Sequence, residues 1–77
     1  MVILEVLDEV REELVRARQK YGVGPQNSPY EAYAILLREM DKLWDEIKKS
    51  PQSKSEIRNE AIQVAAMAVR LIINVGK

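Results

Sequence analysis

The feature that most constrains this chain is an apolar segment near its C-terminal end. From Ala61 to Val75 the only strongly polar residues are Gln63, Arg70 and Asn74. Apolar residues recur there at spacings of three and four on two neighbouring faces, which predicts a helix that is apolar around most of its circumference. Such a helix is normally buried. Because a chain of 77 residues has little else to cover it, we expect a second copy to complete the core. A monomeric three-helix bundle is the alternative.

A second helix is predicted at the start of the chain, over residues about 2–21. Its acidic residues come early and its basic residues come late, which complements the helix dipole. Gly22, Gly24 and Pro25 then end the helix. Its apolar residues recur at alternating spacings of four and three and form one stripe: Ile3, Leu7, Val10, Leu14, Ala17 and Tyr21.

Capping signals mark the starts of the other two helices. Ser28-Pro29-Tyr30-Glu31 and Ser53-Lys54-Ser55-Glu56 each place glutamate three residues after a capping serine. They predict helices over about 29–49 and 54–75. The main apolar stripe of the middle helix contains Tyr33, Leu36, Met40, Leu43 and Ile47, widened by Leu37 and Trp44 on one side and Ile35 on the other.

The predicted fold is therefore an all-α, three-helix chain. It forms one domain over residues 1–77 and assembles into a homo-oligomeric helical bundle, a homodimer or a tetramer. We found no internal repeat or domain linker in the sequence.

Composition narrows the chemistry and the partners. Cysteine and histidine are both absent, so disulfides, thiolate metal sites and histidine-based catalysis are excluded. Twelve basic residues balance twelve acidic residues, which favours neither a nucleic-acid nor a membrane partner. The N-terminus lacks the pattern of a signal peptide, so we expect a cytoplasmic protein. Carboxylate oxygens remain as metal ligands, and they suit Mg²⁺, or Mn²⁺ in its place.

Two groups of polar residues are candidates for a site. Glu39 and Glu46 lie two turns apart on the middle helix, beside its apolar stripe. Glu60 and Gln63 begin the one polar strip of the last helix. Both groups also have a structural interpretation: the middle helix alternates charges as a solvated face does, with Lys42 and Glu46 as one pair. Glu60 could instead form an ion pair with Arg70 across a dimer.

Four stretches of the sequence together resemble a known family. They are Ala17-Arg-Gln-Lys-Tyr-Gly22, Ser28-Pro-Tyr-Glu-Ala-Tyr33, Arg38-Glu-Met-Asp-Lys-Leu-Trp44 and Glu60-Ala-Ile-Gln63. From about Glu12 to Val75 the chain is similar to the MazG-like branch of the all-α nucleoside triphosphate pyrophosphatases. That family holds Mg²⁺ with a Glu-Glu-x-x-Glu pattern on one helix and Glu-x-x-Asp on the next. It cleaves nucleotides between the α and β phosphates inside an oligomeric bundle.

The resemblance implies a reduced set of metal ligands here. Glu39 and Glu60 keep carboxylates at the family's ligand positions, and Glu46 and Gln63 are further possible ligands. Arg38 and Lys42 stand where the family has glutamates, and Gln63 stands where it has aspartate.

The same resemblance implies residues for substrate binding. Four of them would contact a nucleotide: Arg38, Lys42 and Lys20 at the phosphates, and Trp44 at the base. Arg18 is an alternative to Lys20, Tyr33 is an alternative to Trp44, and Trp44 has core packing as its other interpretation.

Two functional hypotheses follow. The chain is a MazG-like nucleotide pyrophosphatase with impaired or divergent catalysis, or it is a non-catalytic, homo-oligomeric binding or interaction module on the same scaffold. The sequence indicates no particular nucleotide. It also leaves open whether Glu39 and Glu60 meet within one chain or across two.

Overall fold

The computed structural model describes residues 2–21 and 28–75, and they form three helices. These are α1 (Val2–Tyr21), α2 (Pro29–Ile47) and α3 (Lys54–Val75). The predicted all-α, three-helix chain is confirmed, and α1 and α3 have the predicted bounds. The predicted loop over residues 22–27 lies outside the described residues. No described helix combines the length and the apolar character that crossing a bilayer requires.

α2 ends two residues before the predicted position. The backbone N–H of Lys49 donates to the carbonyl of Glu46 at 3.4 Å, so the last turn tightens to the spacing of three that often closes helices. The side-chain amide of Gln52 then donates to the carbonyl of Ile47 at 2.8 Å. These bonds satisfy carbonyl groups that a continuing helix would have paired.

Both predicted capping serines are confirmed. The Ser28 hydroxyl accepts a hydrogen bond from the Glu31 N–H at 3.1 Å, and the Ser53 hydroxyl accepts one from the Glu56 N–H at 3.3 Å. Each cap typically stabilises its helix by about 1 kcal/mol. The caps therefore set where α2 and α3 begin.

α3 is the central helix of the three. It packs against both α1 and α2, whereas the backbones of α1 and α2 do not approach each other within the described residues. The short connection over residues 48–53 makes α2 and α3 antiparallel neighbours. Glu9 of α1 pairs with Arg58, and Ala17 shares a core cluster with Met67, so α1 runs parallel to α3. An open cleft remains between α1 and α2, with α3 as its floor.

The core is small and rich in alanine. Ala66 of α3 is fully shielded from solvent, at 0% exposure, and Ala17 and Ala32 are buried on the two flanking helices. Small side chains at these positions let helix backbones pack closely. The larger buried members of the core are Val10 and Met67. Such a core buries little apolar surface for a chain of this length.

α2 divides its apolar residues between two faces. Of the main apolar stripe named from the sequence, Leu36 and Leu43 are partly buried, whereas Tyr33, Met40 and Ile47 are exposed. Buried Ala32 and Glu39 lie on the face of α2 that packs against α3. This orientation of the helix leaves the residues on its other faces pointing outward. The exposed residues follow one another at spacings of three and four and are called the outer stripe below: Tyr30, Tyr33, Leu37, Met40, Trp44 and Ile47.

Candidate functional site

The cleft between α1 and α2 has a volume of about 310 Å³, within the range of small-molecule sites. Its lining is dominated by charge, with three carboxylates and three cations. α1 contributes Glu13, Arg16, Ala17 and Lys20; α2 contributes Glu39 and Lys42; α3 contributes Glu60, Gln63 and Met67. Mixed charge of this kind suits a ligand that carries both cationic and anionic groups, such as a metal-bound phosphate.

Glu39 is the acidic group that α2 turns toward α3. It lies among the inward-facing residues of that helix and is 5% exposed, which is unusual for a glutamate. Its Oε1 accepts a hydrogen bond from Lys42 Nζ at 3.5 Å, one turn along the helix. Lys42 is itself exposed, so this long contact neutralises only part of the Glu39 charge.

Glu13 is a member of the site that sequence reasoning missed. It is buried, and its Oε2 accepts a hydrogen bond from Arg16 Nε at 2.8 Å. A signal for it existed, because Glu13 lies three residues after Val10 and four before Ala17. A glutamate at that spacing shares a helix face with the two core residues.

Glu60 is the least satisfied carboxylate of the cleft. Its Oε2 is buried and accepts no hydrogen bond from the described residues. Burial raises the pKa of Glu60, and the negative charge of Glu39 raises it further, while Lys42 opposes the change. Buried polar atoms are nearly always paired in folded proteins, so an oxygen without a partner calls for an explanation such as a bound ion.

The structure brings most of the predicted site residues together in this cleft. Five of them line it: Lys20, Glu39, Lys42, Glu60 and Gln63. Glu39 and Glu60 thus line the same cleft within one chain, from α2 and α3.

Three predicted site residues do not line the cleft. Arg38 is exposed on α2, and Trp44 belongs to the outer stripe. Glu46 accepts a hydrogen bond from Lys49 at 2.7 Å, although its charge contributes to the raised pKa of Glu60. The expected Lys42–Glu46 pair is replaced by two pairs of spacing three, Lys42 with Glu39 and Lys49 with Glu46.

Among the described residues, the cleft offers too few grouped carboxylates to hold a metal ion by protein ligands alone. Within residues 2–21 and 28–75, no three acidic side chains come close enough to form a complete metal site. Mg²⁺ commonly takes one or two carboxylates and fills its other positions with phosphate oxygens and water. Glu39 and Glu60 meet that requirement in residue type, and the unpaired oxygen of Glu60 is available for a ligand bond.

Comparison with known proteins identifies no relative of this chain. No protein-family model matches it, and no curated protein or solved structure matches it significantly.

Proposed function

We propose that the cleft binds Mg²⁺, or Mn²⁺ in its place, together with the phosphates of a nucleotide. The activity proposed is that of a divergent MazG-like pyrophosphohydrolase, which converts a nucleoside triphosphate and water to the monophosphate and pyrophosphate. The observation that carries this proposal is the buried Glu60 Oε2, which has no hydrogen-bond partner among the described residues and lies in a cleft shared with Glu39.

Glu39 and Glu60 are the proposed metal ligands, with the amide oxygen of Gln63 as a further donor. The bound cation would withdraw charge from the phosphate oxygens and so favour attack by water at the α-phosphorus. Arg16, Lys20 and Lys42 line the same cleft and can donate hydrogen bonds to phosphate oxygens. A nucleotide phosphate would therefore meet cations from both flanking helices.

Arg38 and Trp44 are the predicted substrate contacts that this cleft does not use. A nucleotide with its phosphates between α1 and α2 would be reached by Lys20 and Lys42, whereas Trp44 belongs to the outer stripe. The proposal for phosphate binding therefore rests on Lys20, Lys42 and the newly identified Arg16.

A second candidate function is a binding module without catalysis. It is favoured by the ion pairs inside the cleft, because Lys42 and Arg16 already neutralise part of the charge of Glu39 and Glu13. A cation beside a metal site opposes the metal by roughly 1–4 kcal/mol at about 4 Å, depending on the local dielectric. Such a cleft would hold a phosphorylated ligand by its basic side chains and leave the ligand intact.

Both versions include self-association into a homodimer or tetramer, and both place the protein in the cytoplasm. The support for self-association is the small core together with the exposed apolar residues of α2.

The decisive experiment measures binding and turnover separately. Thermal stability is recorded with and without Mn²⁺ and a nucleoside triphosphate, and pyrophosphate release is followed for a panel of ribo- and deoxyribonucleotides. We expect Mn²⁺ to raise the melting temperature of the wild type and of Glu12→Gln, a matched control whose exposed carboxylate precedes Glu13. The increase should be absent in Glu60→Gln.

The results distinguish the two candidates. Pyrophosphate release that Glu60→Gln abolishes supports the enzyme. Nucleotide binding without release, weakened by Lys42→Gln, supports the binding module. A chain whose stability responds to neither Mn²⁺ nor nucleotide contradicts both.

A further inference from the structure

We infer that the outer stripe of α2 is the surface through which two copies of this chain pair. The inference develops the self-association part of the proposed function and is independent of what the cleft binds. The stripe runs the whole length of α2, from Tyr30 to Ile47, and its residues are between 36% and 87% exposed.

The spacing of the stripe is that of a helix–helix seam. Its members alternate intervals of three and four residues without a break, which is the pattern of a and d positions in a coiled coil. A second helix that carries the same pattern can insert its side chains between them. Aromatic residues lie toward both ends of the seam, Tyr30 and Tyr33 at one end and Trp44 at the other, where they can act as anchors of the interface.

The exposed area matches what a stable dimer needs. The chain exposes 5838 Å², whereas a compact monomer of 8.8 kDa exposes about 4,800 Å². The excess is about 1,000 Å², and the outer stripe contributes to it with six apolar side chains that are between 36% and 87% exposed. A standard protein–protein interface buries about 800 Å² on each partner, so pairing through the stripe would remove most of the excess.

A second copy of the chain is the partner for the outer stripe that best accounts for the small hydrophobic core. The radius of gyration is 13.2 Å, whereas a compact domain of this length has about 11.5 Å. Among the described residues no large side chain is fully buried. A partner that is needed for stability must be present wherever the chain is, and a second copy meets that condition. In a twofold dimer each copy contributes the same surface to the interface.

The polar residues of α2 argue against a lipid surface as the occupant. Arg38, Asp41 and Asp45 are exposed on the remaining face of α2, so one cation stands against two carboxylates. Helices that lie on membranes normally carry a basic polar face that attracts anionic lipid. The mixed signs here suit a soluble assembly.

Pairing through the outer stripe leaves both clefts open. Lys42 lies two residues from both Met40 and Trp44, so it belongs to the other side of α2. A dimer would therefore hold α2 from its outer face while Glu39 and Lys42 still line the cleft. The cleft and the interface can then be tested separately.

The first test measures molar mass across a dilution series by light scattering and analytical ultracentrifugation. We expect a wild-type dimer, and we expect Trp44→Lys to raise the dissociation constant at least about 30-fold, equivalent to about 2 kcal/mol. Val15→Lys is the matched control, because Val15 is equally exposed but lies on α1 outside the stripe. Its dissociation constant should stay within about threefold of the wild-type value.

The second test does not depend on how well a lysine variant folds. Because the chain contains no cysteine, Met40→Cys introduces a single thiol at the middle of the stripe. Mild oxidation should link two copies rapidly at that position, with no loss of helical circular dichroism. Val15→Cys should remain unlinked under the same conditions.

Either of two results overturns the inference. One is a wild-type chain that stays monomeric at every concentration; the other is a dimer in which Val15→Cys links as fast as Met40→Cys. A monomer that still binds Mn²⁺ through Glu60 would contradict the interface and leave the cleft proposal standing. A dimer that binds neither Mn²⁺ nor a nucleotide in the cleft would support the interface and contradict the cleft proposal.

Discussion

Glu39 of α2 and Glu60 of α3 line one cleft within a single chain, and the charge of Glu39 helps to raise the pKa of Glu60. The two residues are 21 positions apart in the sequence, and the antiparallel α2–α3 pair brings them together. Lys42 lowers the pKa of Glu60 but does not cancel the combined effect of burial and Glu39. The ionised form of Glu60 is therefore unfavourable in the cleft, and a bound cation would stabilise its negative charge.

Replacing Glu60 should stabilise the protein at neutral pH. The pKa of Glu60 is raised in the folded state, so its ionised form opposes folding. This opposition sets in as pH rises through the ordinary glutamate pKa of about 4.3 and is complete above the raised folded value. Glu60→Gln should melt at a higher temperature than the wild type at pH 7, and the difference should vanish in acid.

Thermal melts from pH 4 to pH 8 without divalent cations measure this effect. Glu12→Gln is the control, and its melting temperature should follow the wild type throughout. A Glu60→Gln variant that is less stable than wild type at pH 7 would show that the carboxylate is satisfied in the folded protein.

Introducing acidic residues inside the cleft should strengthen cation binding. Lys42→Glu with Gln63→Asp removes one positive charge and adds two carboxylates at positions that line the cleft. We expect Mn²⁺ affinity, measured by isothermal titration calorimetry, to rise at least about tenfold, or about 1.4 kcal/mol. Arg38→Glu is the control, because Arg38 does not line the cleft and its substitution should change the affinity little.

The shielded Ala66 should tolerate no larger side chain. Ala66 is 0% exposed where α3 packs against its neighbouring helices, so the larger side chain of Ala66→Leu would force the helices apart. Overpacking of this kind typically destabilises by about 1–3 kcal/mol. Ala61→Leu, on an exposed part of α3, should change stability by less than about 0.5 kcal/mol in urea unfolding. Equal effects at the two sites would contradict the close packing at Ala66.

The ion pair between α1 and α3 should make the protein more stable as pH rises, whereas ionisation of Glu60 makes it less stable. The hydrogen bond from Arg58 lowers the pKa of Glu9, and the charge of Arg58 adds to the effect. A lowered carboxyl pKa contributes stability above the ordinary glutamate pKa, and this contribution is lost as pH falls through the folded value. Arg58→Gln should thus melt below the wild type at pH 7, with a smaller difference in acid.

Arg11→Gln is the matched control for that pair. Arg11 bonds Asp8 within α1, so removing it breaks no contact between helices. Its melting temperature should change less than that of Arg58→Gln at pH 7. The reverse order would mean that the Glu9–Arg58 pair does not fasten α1 to α3.

Much of the fold could be predicted from local signals. The serine caps placed the starts of α2 and α3 because a cap is a contact between residues three apart. The end of α2 was less predictable, since Gln52 captures the carbonyl of Ile47 only once the turn has formed. The central position of α3 followed from its nearly continuous apolar surface.

The site was only partly predictable for a geometric reason. Periodicity fixes which residues share a face of one helix, but it does not fix how that helix is rotated against its neighbours. Close packing at Ala32 and Ala66 sets that rotation in this chain. It turns Glu39 inward and leaves Tyr33 and Met40 outside.

The sequence by itself determined three helices, the capped starts of α2 and α3, and Glu39 and Glu60 as a candidate pair of carboxylates. Only the tertiary structure decided that Glu13 joins Glu39 and Glu60, that Arg38 stays outside, and that one continuous stripe of exposed apolar residues runs along α2. The physical reason is that, among residues 2–21 and 28–75, the backbones of α1 and α2 each approach α3 but not each other. That separation opens the cleft, and no single-helix pattern contains it.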